Sequence, residues 1–343
     1  MKLDGGIPLN IDQAGKAAQR LEELGYSGGW SAELDHDPFL PLIPAISQTE
    51  NLQVGTGIAV ALARNPMTVA NIAWDLQLYS RGRFILGLGT QIRPHITKRF
   101  SMPWSAPVQQ MREFIAALHA IWDSWEGKAD LKFRGEFYRH TLMTPMFNPG
   151  PCPHGRPPVF LAAVGPKMTE LAGEVADGWF SHGFTTESYL KEVSLPAFAK
   201  GVELSGRSRD KVEISIPAMA VMGNSEAELA AAAEGTRQQI AFYGSTPAYR
   251  RVLEHHGWGE LQDELNALSK KGEWVKMGQL ITDDMLHAFA AVGSPEEVAE
   301  ELWRRFGSVV DRLSFYSTTP SENHVAAVAR INQLRDASIS HAH

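Results

Sequence analysis

The densest run of reactive side chains is Trp30-Ser31-Ala32-Glu33-Leu34-Asp35-His36-Asp37-Pro38-Phe39, which sets a Glu, two Asp and a His within five positions beside apolar neighbours. Histidine changes charge near neutral pH, so His36 suits a proton donor or acceptor and Glu33 suits its orienting or cofactor-contacting partner. The plainer reading of the same run is a loop in which Asp37 caps a helix begun by Pro38. Downstream, Gly55-Thr56-Gly57-Ile58-Ala59-Val60 places two glycines in a β-like run, a sign of a bulge or of a flat group approaching the backbone. Gly87-Leu88-Gly89-Thr90, followed by Gln91-Ile92-Arg93-Pro94-His95, reads either that way or as a tight turn. Ala162-Ala163-Val164-Gly165-Pro166-Lys167 is a small-residue turn feeding a helix, where free backbone N–H groups can hold phosphate and Lys167 can add charge; an ordinary strand-to-helix turn would look the same. Cys152-Pro153-His154 and His255-His256 do not supply three or four ligands at metal-site spacing, so no metal is expected, and Asp283-Asp284 reads as a helix start.

These residues need elements to hold them. Eight β-rich runs alternate with helix-period segments: Lys2–Leu9, Gly28–Glu33, Leu52–Val60, Arg83–Thr90, Pro158–Val164, Gly178–Gly183, Val212–Met222 and Arg312–Thr318. That order predicts parallel strands joined by helical crossovers, and eight is the number that closes a (β/α)8 TIM barrel. Helix starts are expected at Asn65-Pro66, Ser294-Pro295-Glu296-Glu297 and Thr319-Pro320-Ser321-Glu322. The first helix shows Ala14, Ala17, Leu21 and Leu24 on one face and stops at Gly25. Residues 91–107, 127–157 and 243–287 exceed ordinary connections and read as insertions in one domain spanning 1–343, the second with a hairpin around Arg134-Gly135. In such a barrel the functional groups gather at the C-terminal strand ends, which is where the runs above fall.

Composition narrows the function. A hydrophobic fraction of 44%, a charged fraction of 21% and a net charge of −7 describe a chain able to bury a large core, without the basic patch of a nucleic-acid binder. The one cysteine, Cys152, cannot form an internal disulfide, and the opening MKLDGGIPLNID lacks an apolar signal-peptide core, so a cytoplasmic protein without membrane spans is expected.

The run RNPMTVANIAWDLQLYSRGRFILGLGTQ, Arg64–Gln91, resembles the bacterial luciferase-like superfamily, in which a helix is followed by a Gly-Arg-Phe turn and an LGLG strand. PPVFLAAVGPKMTELAGEVADGWF, VGSPEEVAEELWRRF with DRLSFYS, and the HDPF segment agree in order and span nearly the whole chain. Within that superfamily the sequence looks most like the deazaflavin-dependent branch, which includes methylenetetrahydromethanopterin reductase and F420-dependent glucose-6-phosphate dehydrogenase.

The resemblance implies a homodimeric oxidoreductase that uses coenzyme F420 to pass a hydride to or from a small organic substrate, or alternatively an FMN-dependent monooxygenase or a non-catalytic flavin-binding barrel. It implies a non-prolyl cis peptide at Gly57–Ile58 behind the cofactor ring, and a cofactor tail held by Thr90, His95 and Val164-Gly165-Pro166-Lys167. Two departures stand out. The sugar-phosphate enzymes place a Lys after strand six, where this chain has Ser181-His182-Gly183-Phe184-Thr185, and the family's histidine commonly follows the strand-two acid directly, whereas Glu33 and His36 are three apart. Trp30, Phe39, Trp104 and Trp179, with Ser181 and His182, are candidates to line the substrate pocket.

Overall fold

The computed structural model describes residues 1–316 and 321–340, the side chains of 339 and 340 excepted; the Thr318 end of the eighth strand and the Thr319-Pro320 helix start lie outside the described residues. All eight expected strands form, each shorter than its apolar run: β1 Lys2–Gly6, β2 Gly28–Ser31, β3 Gln53–Thr56, β4 Phe84–Gly89, β5 Val159–Ala162, β6 Gly178–Phe180, β7 Glu213–Met222 and β8 Arg312–Phe315. Every neighbouring pair is parallel, and β8 pairs with β1 while β6 pairs with β7, so the barrel closes.

Local chemistry fixes the helix ends. Asn65 accepts from the Met67 N–H and puts Pro66 at the first helical position of Pro66–Tyr79, and Ser294 with Glu297 forms a capping box on Pro295–Phe306. Gly25 takes φ +79°, the left-handed stop expected after the first helix, whose buried face is Ala14, Gly15, Ala18 and Leu21. Ala17 therefore sits beside that face rather than on it. Pro38 does not begin a helix: the Asp37 carboxylate accepts from the Phe39 N–H at 2.9 Å in a turn, and the helix starts at Leu42.

The N-terminal layer of the barrel interior is ionic. Arg312 and Asp4 are fully buried and form a two-pronged pair at 2.7 and 2.8 Å, with Gln53 and Glu213 on the remaining guanidinium nitrogen. Above them the interior turns aromatic. Trp30 meets Phe180 edge-on at 5.2 Å, Phe160 lies 5.2 Å from Phe180, and the Arg312 guanidinium sits 5.0 Å from the Trp30 ring.

The insertions depart from the minimal repeat differently. The second contains the expected hairpin, Phe133–Arg134 with Arg139–His140. A helix, Glu226–Gly244, follows β7 at once, so the third insertion begins at that helix's end. It builds a second apolar cluster from short helices between Arg250 and Phe289, including Asp283–Phe289 as expected. β7 supports that cluster because it overshoots the barrel: Met219–Met222 pairs with an added parallel strand, Ala290–Gly293.

Candidate functional site

Between β3 and β4 the ladder is interrupted. Gly55 pairs with Ile85, and pairing resumes at Ala59 with Leu88, so β3 carries one extra residue, a bulge. The Gly57–Ile58 peptide within it is cis, as the resemblance implied. Neighbouring hydrogen bonds fix the bulge: Gly57 N–H donates to the Ser31 carbonyl at 2.8 Å, Glu33 N–H to the Ile58 carbonyl at 3.1 Å, and the Thr56 hydroxyl to the Gly87 carbonyl at 2.6 Å. Gly87 is required here, since a Cβ would fall 1.8 Å from the Thr56 carbonyl oxygen.

Thr90 follows β4 and Val164 follows β5. Leu88 pairs with Leu161, so the two turns leave adjacent strands at matching height. Gly165 is the N-cap of Pro166–Val175 without a side-chain cap, and a Cβ built on it meets nothing within 4 Å. Gly165 therefore faces open space, and Lys167 offers the first helical N–H, since Pro166 has none and the Met168 and Thr169 N–H groups donate to the Gly165 carbonyl at 3.0 Å. Arg93, His95 and Lys167 are exposed, and none has an ion-pair partner among the described residues. His95 opens a single wide turn, His95–Arg99.

The strand-two cluster divides. Glu33 is 8% exposed, and its carboxylate accepts from the Val60 N–H at 2.7 Å and from Arg64, whose other nitrogen reaches Asp37 at 3.0 Å. It ties the β2 loop to the bulge. His36 is on the rim, its side chain 66% exposed, with Nε2 3.7 Å from Asp35. Glu33 and His36 thus face different environments, and no contact joins them.

The proposed pocket residues scatter. Trp30 belongs to the interior aromatic layer, and its indole N–H is buried without a partner among the described residues. Phe39 is 2% exposed in the core, with the Arg64 guanidinium 5.6 Å from its ring, and Trp104 is half-buried against the same core. Trp179 alternates with the inward Gly178 and Phe180, stacks on Phe198 of a surrounding helix at 5.3 Å and donates to the Ala163 carbonyl; it faces out of the barrel wall. Ser181 is 7% exposed and donates its N–H to the Ser215 carbonyl.

His182 has the most developed surroundings. Its Nδ1 accepts from the Phe184 N–H at 2.9 Å, Tyr249 stacks on it at 4.6 Å, and Tyr243 meets it edge-on at 4.7 Å. The Tyr243 hydroxyl bonds that of Tyr316, which leaves the end of β8 toward the interior. Burial pulls the His182 pKa down to about 4 and pushes Tyr249 up to about 12; Tyr316 is raised as well, by burial and then by Tyr243. Tyr243, Tyr249 and Tyr316 were not singled out from the sequence, because two lie in or beside the third insertion and carry no local pattern.

Among the described residues no three His, Cys, Asp or Glu side chains gather as metal ligands, and no helix is long and apolar enough to cross a membrane. A cavity of about 550 Å³ lined by Lys2, Glu22, Tyr26, Ser27 and Asn51 opens at the opposite, N-terminal barrel end.

The chain is 58% identical over 313 residues to the uncharacterized protein Rv1360 of Mycobacterium tuberculosis, covering 91% of this chain and 92% of that one. It is 28% identical over 263 residues to 5,10-methylenetetrahydromethanopterin reductase of Archaeoglobus fulgidus, covering 74% of each. The fold matches the coenzyme F420-dependent tetrahydromethanopterin reductase of Methanopyrus kandleri with a TM-score of 0.78 at 19% identity, over 96% of both chains. The luciferase-like monooxygenase profile matches residues 3–312. With its closed parallel barrel and bulged third strand, the chain belongs to the luciferase-like monooxygenase family.

Proposed function

We propose that this protein is an F420-dependent oxidoreductase that passes a hydride between the deazaflavin and a small organic substrate. The observation that carries the reading is that the bulge at Gly57–Ile58 on β3 and the open helix start at Gly165 after β5 flank β4 at the same end of the barrel, a backbone shelf and an unobstructed approach for phosphate one strand apart. The similarity to the putative coenzyme F420-dependent oxidoreductase Rv3520c of Mycobacterium tuberculosis, 26% identical over 305 residues, supports the choice of F420. The residues present fit such a group: Gly165 leaves its approach open, and Arg93, His95 and Lys167 offer positive or polar side chains to an anionic tail.

When bound, the deazaflavin supplies two-electron hydride chemistry. The chain's own part is positioning. Trp30, Phe160 and Phe180 close the barrel beneath the shelf and keep water out, Glu33 and Arg64 hold the β2 loop against the bulge, and His36 handles the proton at its imidazole nitrogen. Titration of the purified protein with F420 and, separately, FMN tests the reading. F420 should bind the more tightly; tight FMN binding with no F420 binding would favour the monooxygenase instead.

A further inference from the structure

The barrel mouth has two unlike halves. The β3–β5 half offers backbone and open space, whereas the β6–β8 half offers His182, Tyr243, Tyr249 and Tyr316. We infer that the β6–β8 half anchors substrate, and that it selects an uncharged compound whose carbonyl or hydroxyl oxygen is held by His182 Nε2–H and the tyrosine hydroxyls, with a planar apolar flank against the rings.

The donor count supports this. The Phe184 N–H occupies His182 Nδ1, which fixes the neutral tautomer with its proton on Nε2, and Nε2 has no partner among the described residues. The Tyr249 hydroxyl has none there either. Tyr243 and Tyr316 share one hydrogen bond, so their pair keeps one further O–H to give. Three neutral donors therefore belong to one ring cluster without an acceptor among the described residues, on rings that meet at 4.6 and 4.7 Å. The lowered pKa of His182 and the raised pKa values of Tyr249 and Tyr316 keep those three groups uncharged at neutral pH. No Lys or Arg stands over these rings among the described residues. An anionic group placed here would lose its hydration without gaining a counter-charge. The reason lies in the fold: the third insertion brings Tyr249 onto the end of β6, and the end of β8 supplies Tyr316.

This rests on the hydride-transfer reading only for the purpose of the anchor, and it can be tested without cofactor. Ligand-observed NMR on the full chain would compare acetophenone with benzoate, its anionic near-isostere, and ethylbenzene, which lacks the oxygen. Acetophenone should bind at least tenfold more tightly than either. Tyr249→Phe, which keeps the ring but deletes a donor outright, and His182→Asn should each weaken it five- to tenfold, about one hydrogen bond. Asn can still accept the Phe184 N–H through its side-chain oxygen but has no donor at the Nε2 position, and His182→Gln, which restores one there, should recover affinity. Equal binding of benzoate, no acetophenone binding, or variants that bind as wild type would each overturn the anchor. F420 titration of the same variants should be unchanged; loss of F420 binding in the wild type with acetophenone retained would instead sink the proposed function alone.

Discussion

Glu33 and His36 show how two residues from one short run divide between structure and chemistry. Glu33 is buried, and its carboxylate is used by the Val60 N–H and Arg64, so it is a positioning residue for the bulge. Replacing it by Gln leaves Asp37 as the carboxylate partner of Arg64, while the amide oxygen can still accept from Arg64 and the Val60 N–H, and should cost about 2 kcal/mol of unfolding free energy in urea, below the usual cost of a broken buried pair because these bonds and Asp37 remain. His36 is the reverse case. Its side chain is mostly in solvent, so His36→Ala should change stability by less than about 0.5 kcal/mol. If it handles the proton, turnover should drop by about 10²–10⁴ with cofactor affinity within a few-fold. Wild-type turnover in a variant that binds F420 would remove His36 from the mechanism. With its side chain 66% exposed, the His36 ring is open to a substrate atom or a water from the solvent side.

At the scale of elements, the helix starting at Pro166 can be tested cleanly because Gly165 is not structurally demanding. Its φ of −87° and ψ of 155° are open to any L-residue, and a Cβ would clash with nothing. Gly165→Val should therefore fold normally yet crowd the approach of a phosphate, weakening F420 binding at least tenfold, about 1.4 kcal/mol. Unchanged affinity would move the phosphate elsewhere. Arg93, His95 and Lys167 are exposed, so any help they give an anionic tail should fade as salt rises, since screening acts over about 8–10 Å at physiological ionic strength. A salt-independent affinity would exclude them. These elements were legible from sequence because each is local: a glycine in a strand, a Gly-Pro before a helix, an apolar run between turns. The β6–β8 half of the mouth was not. His182 was visible as a polar residue at a strand end, but Tyr249 reaches it only through the packing of an insertion whose short helices have mixed polarity, and Tyr243, in the helix after β7, and Tyr316, past β8, meet it from distant parts of the sequence. Ala290–Gly293 escaped for a related reason, since four small residues carry little strand signal until β7 overshoots and offers an edge. Trp179 shows the limit of reading a pocket from residue type, because strand alternation turned it outward.

For the whole molecule, burial makes acid the weak side. His119, on the helix Pro107–Trp125, and His182, at the barrel mouth, both have pKa values pulled from 6.5 to about 4, chiefly by burial; Arg156 adds to the effect at His119, and the Asp177 carboxylate opposes it there. A histidine with a depressed native pKa binds fewer protons folded than unfolded. Its contribution is intact above about 6.5 and is lost as pH falls toward 4. At pH 5 the unfolded chain gains about 2 kcal/mol per such histidine, from 1.5 pH units at 1.36 kcal/mol each. The Asp177 carboxyl does not offset this, because Arg156 overcomes its burial and holds its pKa below the usual range, so it too favours the folded state above acid pH. Thermal melts should accordingly fall by several degrees from pH 7 to pH 5. His119 is the residue to vary, since its Nε2 is buried without a partner among the described residues and it lies away from the mouth. Burial also lowers the pKa values of His140, His256 and His324, so His119→Gln should remove a measurable share of the pH 7-to-5 decrease, less than half, whatever it does to the melting temperature at pH 7. A variant whose melting temperature falls as steeply as that of the wild type would assign the acid sensitivity to other groups.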